Sequence, residues 1–234
     1  LPLLEKIKGV LALNYKAVIF DLDGTLVNSL NDLADSANAV LAQFGYPTFS
    51  VSEYKYFVGN GSRKLIERIL PAEHRTDAEI DMVLSQYRTL YNSNLLHKTK
   101  PYAGMPEVIQ ALKKQGIPLA VCTNKHCEAA QKIVTTLYGE NIFSGLVADK
   151  PGTDFKRKPD PSNALKLAAS LHVLPQEVAY LGDSKVDMQT AVKAGFLPVG
   201  VLWGFRTEAE LVANGAKILL HEPKELLEKV TFAK

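Results

Sequence analysis

Cysteine is nearly absent from this 234-residue chain: Cys122 and Cys127 are the only two, too few for a disulfide framework. Their spacing matches no common zinc pattern, so they read as reduced thiols of a cytoplasmic protein. Neither sign of charge dominates. Lys and Arg number 27 against 25 Asp and Glu, a formal net charge of +2, and no long basic run appears, which counts against a nucleic-acid partner. No stretch approaches the roughly 18 apolar residues of a membrane span. The opening Leu1-Pro-Leu-Leu-Glu-Lys-Ile-Lys-Gly-Val-Leu-Ala-Leu13 has Glu5, Lys6 and Lys8 inside its apolar run, a poor match to a secretory signal. It reads as a short amphipathic helix or an expression leftover. Internal repeats and low-complexity tracts are missing too. With 47% hydrophobic and 22% charged residues, disorder, collagen and coiled coil are excluded.

What is present is a set of short apolar runs of the kind buried on both faces of a parallel sheet. They are Lys16–Phe20, Ile117–Cys122, Glu177–Leu181, Leu197–Trp203 and Ala216–Leu220, with a weaker one at Gly145–Ala148. Helical patterns separate them at Met105–Gln115, Glu128–Tyr138, Pro161–Leu171, Asp187–Ala194 and Thr207–Ala213. This alternation predicts an α/β fold, a Rossmann-like parallel sheet with helices on both faces. The first interval is irregular. Its two strands lie about 100 positions apart, whereas a βαβ crossover needs on the order of 30 residues. Leu30–Phe44, Gly61–Leu70 and Thr76–Leu96 are helix-like. The expectation is therefore a discontinuous core, residues 15–26 and 100–234, interrupted by an inserted helical domain over residues 27–99.

Ligands of open parallel sheets bind beyond the carboxyl ends of the strands. Here those ends carry Asp21 and Asp23, then Thr123 and Asn124, then Asp183 and Asp187, while Lys158 sits in the loop Lys156-Arg-Lys-Pro-Asp-Pro161. Four carboxylates in one crevice repel unless a cation intervenes. One ammonium cannot balance them and a phosphate as well, so a divalent metal with oxygen ligands, Mg²⁺, is implied. The chemistry that fits is phosphoryl transfer, with an Asp carboxylate as nucleophile. Asp21 and Asp23 are two apart, so an extended chain points both to one side; one can attack phosphorus while the other handles the leaving-group proton. Gly24 is expected to turn the backbone tightly and to offer N–H groups to phosphate oxygens.

Asp21-Leu-Asp-Gly-Thr25, Cys122-Thr-Asn-Lys125, Lys158-Pro-Asp-Pro161 and Gly182-Asp-Ser-Lys-Val-Asp187 resemble, in order, the four motifs of the haloacid dehalogenase-like hydrolases. The resemblance covers about residues 16 to 220, and the inserted helices match that family's cap. Phe57-Val-Gly-Asn-Gly61, Pro101-Tyr-Ala-Gly-Met-Pro-Glu107 and Val201-Leu-Trp-Gly-Phe-Arg206 look most like its phosphoglycolate phosphatase subgroup. The resemblance implies a set of roles. Asp21 is nucleophile and metal ligand. Asp23 is the acid/base and gives its backbone carbonyl to Mg²⁺. Thr123 and the Asn124 backbone hold the phosphoryl group, Lys158 pairs with it and with Asp21, and Asp183 is a further metal ligand. Asp187 either binds metal through water or orients Lys158. In the cap, Asn60 and Arg63 are candidate substrate contacts, Arg63 for a carboxylate or second phosphate. His126, Trp203 and Phe205 read as structural.

The expected activity is Mg²⁺-dependent hydrolysis of a small phosphorylated metabolite, with 2-phosphoglycolate as the named candidate. Two other readings stand beside it. A phosphomutase of the beta-phosphoglucomutase type uses the same core. A signalling receiver module also gathers Asp, Thr and Lys on a parallel sheet, but the Asp21-x-Asp23 pair and the large insertion count against it.

Overall fold

The computed structural model describes residues 14–233. The opening segment, read above as helix or leftover, lies outside the described residues. Ala17–Phe20 (β1) is completely buried, and its side chains alternate between two apolar layers. Val18 and Phe20 face a cluster with Val108, Ile109, Leu112, Ala130 and Ile133. Ala17 and Ile19 face another with Ala164, Leu167, Ala168 and Ala191. A strand apolar on both faces needs cover on both, and helices supply it.

After β1 come the short strand Val27–Asn28 (β2) and the helices Leu30–Gln43 (α1), Val51–Phe57 (α2), Ser62–Ile69 (α3) and Asp77–Asn94 (α4). The chain returns through Lys100–Pro101 (β3) and Met105–Lys114 (α5). Then follow Leu119–His126 (β4), Cys127–Tyr138 (α6), Gly145–Asp149 (β5), Ser162–Ser170 (α7), Val178–Gly182 (β6) and Lys185–Ala194 (α8). Leu197–Val201 (β7), Glu208–Ala213 (α9), Ile218–Leu220 (β8) and Glu225–Lys229 (α10) complete the order. The six-stranded sheet runs β5-β4-β1-β6-β7-β8 and every pairing in it is parallel. The α/β expectation holds, with α5 and α6 on one face and α7 and α8 on the other. No helix among the described residues is long and apolar enough to cross a membrane.

Several element ends differ from the sequence reading by a residue or two, the ordinary fraying of helix and strand termini. Two differences matter more. Strand β4 continues past Cys122 through Thr123 and Asn124 to His126, with a register irregularity against β5 between Cys122 and His126. The polar motif is thus part of the strand, not a loop beyond it. Helix α2 has no counterpart in the sequence reading. Val51 and Tyr56 are exposed and Tyr54 alone among its residues is buried, too few positions for a 3.6-residue period to show. Tyr54 and Phe57 instead form an edge-on cluster with Phe49, which precedes the helix.

The chain passes from the sheet into the α1–α4 stretch and back through two short strands. β2 and β3 pair antiparallel, Val27 opposite Pro101. The buried Asp32 accepts from the backbone N–H groups of Lys98 (2.9 Å) and Thr99 (2.8 Å) and from the Thr99 hydroxyl. One carboxylate on the outgoing helix thereby satisfies the returning backbone, which would otherwise bury unpaired donors.

Candidate active site

In the sheet order the chain leaves β1 for β4 and β5 on one side, then for β6, β7 and β8 on the other. β1 lies at this switch point, where a crevice opens beyond the carboxyl ends. Register does the rest. Phe20 stands opposite Val121 and Leu181, so Asp21, the Cys122–Thr123 step and the Gly182–Asp183 step arrive together. Asp21, Asp23, Thr123, Asn124 and Asp183 line one cavity at this edge of the sheet.

Lys158, which is buried, approaches from the β5–α7 loop. Its Nζ lies 2.7 Å from Asp21 Oδ1 and 2.6 Å from Asp187 Oδ1. Burial alone would lower its pKa, but the charges of Asp187 and Asp21 outweigh that and raise it, so Lys158 is a fixed cation. The remaining Asp187 oxygen accepts from the backbone N–H and hydroxyl of Ser184, capping α8. Asp183 accepts from the Phe205 N–H at 2.8 Å.

One ammonium does not satisfy this cluster. Asp21, Asp183 and Asp187 bring carboxylate oxygens within 4.8 Å of one another, all buried. Burial, and then the charge of Asp187, push the Asp21 carboxyl up to about 7 even with Lys158 pulling the other way. Burial, Asp187 and Asp21 likewise hold Asp183 well above the usual carboxylate range. Among the described residues Lys158 is the one cation paired with Asp21 and Asp187, and no cation pairs with Asp183. Buried carboxylates in excess of the cations that pair with them are costly. An all-oxygen set with excess negative charge is what a small hard divalent cation takes, so the residues fit Mg²⁺.

Space here is tight because two glycines make it so. Gly24 has φ +88°, and a Cβ there would lie 2.3 Å from Asp183 Oδ2; a Cβ on Gly204 would lie 2.2 Å from Asp183 Cβ. We expect Gly204→Ala to push Asp183 aside and weaken Mg²⁺ binding about 10- to 100-fold, measured by titrating Mg²⁺ against thermal stability. Unchanged affinity would show that Asp183 does not contribute.

Asp23 is held differently. Both its oxygens accept from Lys125 Nζ, at 2.9 and 3.0 Å, and one accepts from the Ser29 hydroxyl. Lys125 is itself buried and lies 4.7 Å from the ring centre of Tyr91 on α4. Thr123 is buried, and its Oγ1 accepts from the Lys125 N–H at 3.2 Å. The Asn124 side chain donates to the Gly59 carbonyl (3.1 Å) and accepts from the Lys158 N–H (2.8 Å), tying two loops to the strand end. Over the site, Arg206 donates to the carbonyls of Lys55 and Val58 and lies 5.6 Å from the ring centre of Tyr56. Together Asn124 and Arg206 hold the turn after α2 against the sheet edge.

Three expected contacts fall elsewhere. The Gly24 N–H donates to the Val27 carbonyl at 2.9 Å; it serves the turn and is not available to a phosphate. Arg63 pairs with Asp77 and Asp81 of α4, because α3 turns that face toward α4 and away from the cavity. Asn60 accepts from Arg68 and, with Arg63, borders a second depression whose lining also includes Lys158. Conversely His126 and Phe205, read as structural, line the main cavity, whereas Trp203 donates to the Thr25 carbonyl. Lys125, Arg88 and Arg206 line the cavity unanticipated. Lys125 had a signal, its place directly after Thr123 and Asn124. Arg88 had none, being one charged residue on a helix face.

Comparison with known proteins agrees with this geometry. The haloacid dehalogenase-like hydrolase family profile matches residues 18–201. A phosphoglycolate phosphatase of Haemophilus influenzae (strain 86-028NP) is 33% identical over 219 residues, 91% of this chain and 97% of that protein. One from Thiobacillus denitrificans is 35% identical over 196 residues, 81% of this chain and 84% of that protein. A solved structure of a provisionally assigned phosphoglycolate phosphatase from Lactobacillus delbrueckii subsp. bulgaricus superposes with a TM-score of 0.86 at 29% identity, covering 93% of this chain and 99% of that one.

Proposed function

The chain belongs to the haloacid dehalogenase-like hydrolase family and is a phosphatase; from that premise we propose that it hydrolyses a small phosphomonoester, with 2-phosphoglycolate the leading candidate, by way of a phosphoryl group carried on Asp21. The observation that carries the reading is the buried Asp21 carboxylate at the floor of the cavity, paired with Lys158 and within reach of Asp183. Lys158 holds Oδ1 at 2.7 Å, and the carboxylate keeps a second oxygen to attack phosphorus.

In this reading Asp21 attacks phosphorus and the ester P–O bond breaks, with Asp23 giving the leaving oxygen its proton. Asp23 then takes a proton from water as that water attacks the phosphoryl group. The Asp21–phosphate bond breaks, releasing inorganic phosphate and the original carboxylate. Thr123 donates its hydroxyl to a phosphoryl oxygen, and Lys158 neutralises charge on the same group. Asp187 orients Lys158, since its own oxygens are occupied by Lys158 and Ser184. Asp21, Asp183 and the Asp23 carbonyl would hold Mg²⁺, which supplies charge neutralisation for nucleophile and phosphate. Lys125 and Ser29 set the position of Asp23. The helices over the mouth shield the site from water. We also propose that residues 27–99 act as one cap, and that the protein works in the cytoplasm, its cysteines free.

The test is a screen of phosphorylated metabolites with the purified protein and Mg²⁺, reading inorganic phosphate. We expect many turnovers per protein molecule, with 2-phosphoglycolate among the best substrates. Transfer of phosphate within a sugar phosphate would favour a mutase, and a single equivalent of bound phosphate without turnover would favour a receiver.

A further inference from the structure

The cavity has two unlike ends. Its floor holds Asp21, Thr123 and Asp183; its cap side carries Arg88 of α4. Three Lys and Arg side chains line the cavity, and two of them are spoken for. Lys125 is bound to Asp23. Arg206 is bound to the carbonyls of Lys55 and Val58 and lies 3.5 Å from Glu210. Arg88 forms no salt bridge with any described residue. The acceptor it has is the hydroxyl of Ser62, on α3, which takes both Nε at 3.3 Å and Nη2 at 3.2 Å.

That arrangement is a carboxylate site filled by a poor substitute. The Nε and Nη2 edge of a guanidinium presents two parallel N–H groups spaced for two oxygens. Here a single neutral oxygen receives both, at long distances. Arg88 is half-buried, so water does not fully compensate it. We infer that Arg88, with Ser62 beside it, receives a carboxylate at the far end of the substrate, so that the enzyme selects short phosphomonoesters bearing a carboxylate opposite the phosphate. This rests on the phosphatase reading above and narrows its substrate class. With the phosphate end at Asp21, where the reaction requires it, the far end of a short ester lies on the Arg88 side of the cavity. Val58, Leu65 and Tyr87 contribute apolar wall to the same cavity.

The experiment compares two esters of equal length with the full chain and Mg²⁺. One is 2-phosphoglycolate; the other is 2-hydroxyethyl phosphate, neutral at the far end. We expect wild type to prefer the first. Arg88→Met should lower kcat/KM for 2-phosphoglycolate about 100-fold, chiefly through KM, and change that for 2-hydroxyethyl phosphate by less than about 3-fold. Arg88→Lys, which keeps the charge and the fold but loses the paired donors, should fall about 10-fold on the carboxylate ester alone. Equal losses on both esters, or no loss on either, would overturn the assignment. So would a wild type indifferent to the carboxylate, and that result would leave the phosphatase reading intact. Absence of phosphate release from every phosphomonoester would instead overturn the phosphatase reading itself, and this inference with it.

Discussion

Asp21→Asn is expected to cut phosphate release by at least about 10⁴-fold, because an amide oxygen is too weak a nucleophile to form the acyl phosphate. The substitution is nearly isosteric, so loss of activity alone does not separate a nucleophile from a structural carboxylate. Stability does. Asp21 is buried among like charges, and its carboxyl is pushed up to about 7 by burial and Asp187. Asn removes one of those charges, while Lys158 keeps its pairing with Asp187 at 2.6 Å. The metal-free variant should therefore melt at or above the wild-type temperature. Acid quenching with labelled substrate should trap phosphate on wild type and none on the variant. A variant within about 10-fold of wild type, or one that still traps label, contradicts the assignment.

Chelation of divalent metal should stop turnover altogether, and its thermodynamic counterpart is a stability that depends on pH in an unusual direction. The folded-state pKa of Asp21, about 7, lies above its unfolded value of about 4. Between those values the folded protein holds more protons than the unfolded chain. This group's contribution is thus fully present below about pH 4 and is lost as pH rises through about 7. Asp183 is shifted in the same direction and reinforces the trend. A bound cation favours the charged carboxylates, so it reverses the loss. The chelated protein should melt about 5 °C lower at pH 8 than at pH 5.5, and added Mg²⁺ should stabilise it far more at pH 8 than at pH 5.5. Asp21→Asn should flatten the pH dependence of the chelated protein. Full activity after chelation, or a Mg²⁺ shift independent of pH, would refute the metal assignment.

Much of this protein is written locally in its chain. Strands buried on both faces appear as unbroken apolar runs, because every position must avoid water; the run at Ala17–Phe20 shows it, with all its residues buried. The residues of the four motifs lie at strand ends or the loops beside them, and a parallel sheet delivers such ends to one edge whatever the details of packing. Asp21, Thr123, Asp183 and Lys158 could therefore be named without coordinates. The excess of acid at that edge, hidden within a net charge of +2, likewise followed from position along the chain alone.

The rest depends on which helix faces which. Arg63 and Arg88 are both arginines on helices of the inserted stretch, and nothing local distinguishes them. Packing of α3 against α4 turns Arg63 onto Asp77 and Asp81 and leaves Arg88 over the cavity with a serine hydroxyl. The use made of Gly24 was also undecided in sequence, since its N–H goes to Val27 through a turn and its missing side chain admits Asp183, a residue 159 positions away. The sequence determined the sheet, its reactive edge and the carboxylates that demand a cation. Tertiary structure alone decided which cation meets which anion, because those pairings join side chains far apart in sequence and no periodicity records them.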